Sequence, residues 1–252
     1  RVTVPTLALN TVDNTTAIPT QLFLFGLQME AEASQVAQLA RDSGKTQALI
    51  IGDNSGLSKR LQAAFSERWQ HEGGALAFFR HADDQQQLPQ LKKLSSNDNQ
   101  LVFLALGADK ARIVRPYIAT DVPIFATSQV YTGNDNTLLN NDLNEIRFVD
   151  MPWLLQFDHP AVMAYRQNRT IKNMDMERLY ALGIDAFRLM THLLDPLFIN
   201  EISFDGVTGF VRAAPANQFI REPVSAQFIQ GQVQLLDIQR TIPASVAPQS
   251  EP

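Results

Sequence analysis

No cysteine occurs anywhere in the 252-residue sequence, so disulfides, thiolate nucleophiles and thiolate metal sites are excluded. Long hydrophobic runs are missing too. The longest, residues 101–106, is far short of the roughly 18 to 20 apolar residues that a membrane-crossing helix needs, and no transmembrane segment is expected. Nor is there an excess of positive charge: 21 Lys and Arg stand against 26 Asp and Glu, for a net charge of -5. The basic residues are scattered, whereas phosphate recognition needs them clustered, so no nucleic-acid partner is expected. Arg1 is followed by Val-Thr-Val-Pro, which does not read as a charged and then apolar leader.

Signatures of catalysis are equally thin. No G-x-S-x-G elbow is present, and a hydrolase triad would have to be assembled from ordinary serines. His71, His81, His159 and His192 lie far apart and none forms an H-x-x-x-H or H-x-H pair, so neither a metal nor another cofactor is expected. Residues 52–56, Gly-Asp-Asn-Ser-Gly, lack the third glycine of G-x-G-x-x-G and the Lys-Ser/Thr of a P-loop, and Asp53 would repel an anion. They read as a capped turn. Without a nucleophile-base pair the chain is not expected to be an enzyme. Asn14-Thr15-Thr16 and Asn168-Arg169-Thr170 match the glycosylation sequon, a pattern short enough to arise by chance.

What is present is a globular composition, 45% hydrophobic and 19% charged, organised around residues 46–79. Ala48 to Ile51 form an apolar run without alternation, as a strand covered on both faces requires. A turn follows in which Asn54 or Ser55 can cap a helix, and Leu57, Leu61, Ala64, Phe65 and Trp69 make one apolar stripe along that helix. Gly73-Gly74 ends it, and residues 75–79 give the next strand, completing a βαβ unit. Further strands are expected at 2–9, 22–25, 101–106, 123–126, 146–149, 206–212, 224–229 and 232–235, the last two forming a hairpin across Gln230-Gly231. Helices are expected over 29–43, with Ala33, Val36, Ala37 and Ala40 inward, and around Leu88, Leu91 and Leu94. Another starts at an Asp109 cap and bends at Pro116, with Ile113, Val114, Tyr117 and Ile118 inward. Two more cover 160–167 and 174–194. The last and longest carries Met176, Leu179, Tyr180, Gly183, Phe187, Met190 and Leu194 on one broad face, and Asp195-Pro196 stops it. Residues 127–144, polar and rich in Asn, read as a surface excursion. Strands alternating with helices at this spacing make an α/β protein with parallel sheets flanked by helices.

In such a sheet, ligands sit beyond the carboxyl ends of the strands. Those ends carry Asn10-Thr11, Asp53-Asn54, Thr127-Ser128 and Asp150.

Four stretches, in this order, resemble the type I periplasmic-binding-protein fold: Pro5-Thr-Leu-Ala-Leu-Asn10, Gly52-Asp-Asn-Ser-Gly-Leu57, Arg178-Leu-Tyr-Ala-Leu-Gly-Ile-Asp-Ala-Phe187 and Phe204-Asp-Gly-Val-Thr-Gly209. Within that fold the chain is similar to the C-terminal domains of the penicillin-binding protein activator family of outer-membrane lipoproteins. Leu7-Ala-Leu-Asn10, Ala17-Ile-Pro19, Phe25-Gly-Leu27 with Glu30-Ala-Glu32, Phe65-Ser-Glu-Arg-Trp-Gln70, Arg178-Leu-Tyr-Ala-Leu-Gly183 and Gly206-Val-Thr-Gly209 carry that likeness. The resemblance implies a two-lobed molecule whose first lobe is incomplete at its N-terminus. Residues 1–44 and 156–202 are assigned to lobe one, 45–155 and 203–236 to lobe two, and 237–252 to a flexible tail. It implies a non-catalytic, periplasmic regulator that activates a class A penicillin-binding protein, a peptidoglycan synthase, by direct contact. The parent chain would be tethered to the outer membrane through a lipid anchor not present here, and the 127–144 loop is the expected contact. The alternative is a periplasmic solute-binding receptor closing on an amino acid, amide or cell-wall fragment. Asn10, Ser128 and Tyr131 would then be its ligand-binding residues in the cleft.

Overall fold

The structure, a computed structural model, describes residues 3–10, 18–133, 137–166, 173–194 and 201–236. Both sequons and the expected tail lie outside the described residues. In chain order the elements are β1 (Thr6–Ala8), β2 (Leu22–Phe25), α1 (Met29–Arg41), β3 (Gln47–Gly52), α2 (Gly56–His71), β4 (Ala75–Phe79), α3 (Gln90–Leu94), β5 (Gln100–Ala105) and α4 (Ala108–Val114). There follow β6 (Ile124–Ala126), α5 (Thr137–Asn141), β7 (Ile146–Asp150), α6 (Pro152–Leu155), α7 (Pro160–Tyr165), α8 (Met174–Leu193), β8 (Ser203–Asp205), β9 (Phe210–Ala214), β10 (Gln218–Glu222), β11 (Val224–Ile229) and β12 (Gln232–Leu235).

Two sheets result, one of seven strands ordered β12-β11-β7-β6-β5-β3-β4 and one of five ordered β1-β2-β10-β9-β8. The centre of the larger sheet is parallel: β3 pairs with β4 and β5, β5 with β6, and β6 with β7. Each strand points alternate side chains to opposite faces. Leu49, Ile51, Val102, Leu104, Ile124 and Phe148 therefore meet Leu91, Ala111 and Val114 on one side, while Ala48, Ile50, Leu101, Phe103 and Phe125 meet α1 and α2 on the other. With both faces covered, every residue of β5 is buried, and each large side chain so enclosed is worth about 1.5 to 3 kcal/mol. The expected βαβ unit is there, and its cap is Ser55, whose hydroxyl accepts from the Ser58 amide. The expected β11–β12 hairpin forms antiparallel, with positive φ of 51° at Gln230 and 73° at Gly231, the backbone that a tight hairpin turn demands.

The smaller sheet is assembled from the two ends of the chain. β1 and β2 run parallel, and β2 pairs with β10, which turns back into β9 and then β8. Among the described residues the chain passes between the sheets three times, between β2 and α1, between β7 and α8, and at Pro223 between β10 and β11.

These crossings move the lobe boundaries expected from sequence. Of residues 203–236, assigned with the larger sheet, β8, β9 and β10 lie in the smaller one, and only β11 and β12 join the larger sheet. Helix α1, assigned to the first lobe, packs Ala33, Val36, Ala37 and Ala40 against Leu61, Phe65 and Trp69 on the larger sheet. A periodic pattern marks an apolar face without naming its partner, so the sequence could not choose between them.

Other expectations change locally. The strand expected at 206–212 starts at Phe210, because 206–209 is a turn. A Cβ on Gly206 would lie 2.5 Å from the Asp185 carboxylate, and Gly209, at φ +131°, would carry one 2.3 Å from the Glu222 carbonyl oxygen. Helix α4 is capped by Gly107 rather than by Asp109, and it passes at Arg115 into a 3-10 turn containing Pro116, which lacks the amide to continue an α-helix. Ile113 is exposed. Residues 127–144 are only in part an excursion: Thr127, Ser128 and Val130 are buried in a 3-10 turn directly after β6.

The largest departure concerns α8. It buries Leu182, Ala186, Leu189 and Leu193 against Phe23, Phe25, Val211 and Phe219, together with Glu177, Arg178 and Asp185. The face expected inward is turned out, with Met176 60%, Leu179 54% and Phe187 69% exposed. With α7 it borders a cavity of about 420 Å³ lined by Tyr165, Leu179, Tyr180, Gly183, Ile184 and Phe187. Charged side chains took the inward positions because each finds its partner there, as buried charge must.

Candidate functional site at the junction of the two sheets

The carboxyl end of β7 reaches the seam between the sheets, and its last residue, Asp150, is 1% exposed. Its Oδ1 accepts from the Met151 amide at 2.8 Å. From the other side comes Arg178, one turn into α8, a helix begun by Asn173, whose side chain accepts from the Met176 amide at 3.1 Å. Arg178 meets Asp150 side-on, Nη2 donating to Oδ2 at 2.6 Å and Nε to Oδ1 at 3.3 Å, the two-toothed fit that a planar guanidinium allows. Nη2 also donates to the carbonyl oxygens of Ser128 at 3.2 Å and Tyr131 at 3.0 Å, while Nη1 reaches the exposed Asp175 at 3.1 Å.

A second pair lies alongside. Glu32, in the first turn of α1 where the helix dipole favours an anion, receives Arg221 Nη2 of β10 at 2.5 Å, both side chains being buried. Its Oε2 accepts from the Ser128 amide at 3.2 Å. The main chain of Ser128 thus joins both pairs, its N–H to the carboxylate of one and its C=O to the cation of the other. Gln35 adds a bond to the Arg221 carbonyl at 2.7 Å, and Trp153 Nε1 donates to Glu177 at 2.8 Å.

Burial pushes the Asp150 carboxyl up, and Arg178 opposes that without cancelling it. Burial likewise pulls the Arg178 guanidinium down, but the charge and hydrogen bonds of Asp150 more than offset it. Each charge offsets the cost of burying the other, so removing either strands the remaining charge out of water.

Of the three residues predicted to line a cleft, the structure brings Ser128 and Tyr131 together around Arg178 and leaves Asn10 exposed at the end of β1, against Gly26. Ser128 and Tyr131 act through their backbones, and the Tyr131 ring stacks on Phe148 with centroids 5.6 Å apart. Asp150 is legible as a strand end, but its counterpart Arg178 and the pair of Glu32 with Arg221 are not singled out by the sequence. A carboxylate closing a strand that is apolar but for Arg147, and an arginine within a largely apolar helix, are the signals available.

A second cluster marks the end of β3. Asp53 is buried, and Lys110 lies 2.5 Å from both Asp53 and the more exposed Asp83. Burial pushes the Asp53 carboxyl up, but hydrogen bonds from Lys110 and Ser55 more than offset this and hold it below its ordinary 3.8. Among the described residues no group of His, Asp and Glu could hold a metal ion, and no helix is long and apolar enough to cross a membrane.

Residues 2–231 match the LppC lipoprotein family. The chain belongs to that family. Among curated LppC relatives, the penicillin-binding protein activator LpoA of Haemophilus influenzae is 26% identical over 212 residues, covering 82% of this chain and 36% of that protein. The chain spans only 36% to 40% of such relatives. In solved structures, the LpoA C-domain from Haemophilus influenzae, named a regulator of PBP1A, superposes with a TM-score of 0.75 at 24% identity over 91% of this chain and 73% of that one. A Chromobacterium violaceum structure named for a branched-chain amino acid ABC transporter gives a TM-score of 0.78 at 35% identity, over 90% and 74%. This LppC domain therefore has the α/β periplasmic-binding-protein-like fold.

Proposed function

We propose that this domain is a non-catalytic regulator that activates a class A penicillin-binding protein by direct contact, working in the periplasm as part of a longer, lipid-anchored chain at the outer membrane. The observation that carries the reading is the junction itself. Where a receptor of this fold would close on a solute, Arg178, Asp150, Glu32 and Arg221 already satisfy one another. A protein whose cleft is filled from within acts through its outer surface. Binding that favours the productive state of the synthase then raises its activity without supplying a reacting group. Of the contact loop expected at 127–144, α5 lies at the surface, with Leu138 80% exposed.

The test is a transpeptidase assay with purified class A synthase, with and without the domain, beside a binding measurement at moderate salt. Saturable binding with increased cross-linking is expected; neither effect at concentrations well above those of the synthase would remove the reading. A solute receptor is the second reading, favoured by the 35% identity to the Chromobacterium structure. It requires a saturable rise in melting temperature with branched-chain amino acids, amides or muropeptides.

A further inference from the structure

Asp150, Ser128 and Tyr131 make a receptor for a planar cation, and each is fixed by the larger sheet without help from Arg178. The carboxylate is oriented by the Met151 amide at 2.8 Å. The two carbonyls project from a turn closed by the Tyr131 amide on the Ser128 carbonyl at 3.0 Å, and that turn is anchored by Glu32 at 3.2 Å. One carboxylate edge and two converging carbonyl oxygens accept N–H groups and offer none, which is the recognition chemistry of a guanidinium or a primary ammonium. Arg178, which supplies that cation, belongs to a helix packed on the other sheet through Leu182, Ala186 and Leu189.

We propose that the junction is a guanidinium-binding site occupied by the protein's own Arg178, which excludes amine and guanidine solutes and fastens the two sheets at one relative orientation. Side-on pairing fixes both the distance and the rotation of α8 relative to β7, which a point charge would not. The second pair, Glu32 with Arg221, crosses the same seam in the same sense, carboxylate on the larger-sheet side and arginine on the smaller, and it too bonds to the main chain of Ser128, so the sheets are tied at two points. The inference is independent of which partner the outer surface meets, since it concerns only the chain's own groups.

Chemical rescue tests it on the isolated domain. In Arg178→Ala the acceptors remain and the cation is gone. Millimolar ethylguanidine should raise the melting temperature of R178A saturably and leave the wild-type protein unchanged, with sodium chloride and urea at matched concentrations as controls. No saturable rise in R178A, or an equal rise in the wild type, would overturn the proposal. Should R178A fail to fold, the wild-type protein carries the test through its arginine side-chain NMR signals, with Arg178→Lys used for assignment. The Arg178 Nε–H should exchange with solvent many-fold more slowly than that of the exposed Arg60, and equal rates would overturn the proposal.

Discussion

The two sheets of this domain are built by different rules. In the larger, four consecutive parallel pairings bring together segments that lie within about a hundred residues of one another, and both faces are covered by helices. In the smaller, β1 and β2 wait for β10, nearly two hundred residues later, and one apolar cluster joins the sheet to α8. Local alternation and full burial make the first sheet the more independent unit; the second depends on long-range closure and on its ties to the first.

That comparison can be broken at the tie. Arg178→Met leaves the Asp150 carboxylate buried without its cation and should cost about 5 kcal/mol, the upper end for a broken buried pair, read by urea denaturation. Adding Asp150→Leu should recover most of the loss, because two apolar groups strand no charge. If the double variant is as unstable as the single one, the pair acts by shape and not by charge.

Core truncations sharpen the same contrast. Phe103→Ala removes a ring stacked on Phe65 at 4.1 Å between centroids and should cost about 3 to 5 kcal/mol. Phe219→Ala, 6% exposed in the smaller sheet, should cost less, since its site can relax toward solvent. Equal losses would mean that the two sheets are equally well packed.

Acid titration gives a smaller effect confined to the larger sheet. Because the folded Asp53 carboxyl lies below its ordinary 3.8, the stability it contributes is present above about pH 4 and lost as pH falls through the folded value. Lys110 is raised by its hydrogen bonds to Asp53 and Asp83, which outweigh burial, so its contribution is fully present below the ordinary 10.5 and lost as pH rises through the higher folded value. Asp53→Asn should flatten the stability profile on the acid side, monitored by melting temperature from pH 5 downward. An unchanged profile would show that the pair is screened away. Smallest of all, Phe187→Ser on the outer face of α8 should change the stability of this domain by no more than about 0.5 kcal/mol.

Much of the larger sheet was legible in the sequence. Uninterrupted runs at Ala48, Leu101 and Pro123, with Leu61, Phe65 and Trp69 between the first two, leave little choice but buried parallel strands under a helix. The resemblance carried by residues 178–187 and 204–209 likewise led to the right fold and family. The smaller sheet and the junction were less legible, because β10 is polar at Arg221 and Glu222 and one of its two neighbours, β2, lies nearly two hundred residues away in sequence. Ser128 and Tyr131 stand out in the sequence by their polar side chains, yet it is their carbonyls that meet Arg178, and every residue has a carbonyl.

The order of strands and helices from β2 to β6, a cap at Asn54 or Ser55, and the hairpin turn at Gln230-Gly231 follow from the sequence by itself, since each rests on propensities and hydrogen bonds within a few residues. Only the tertiary structure decided which face of α8 turns inward and which cation answers Asp150. Those outcomes depend on desolvation at a seam between distant segments, where a charge is tolerated only when its partner arrives from the other sheet.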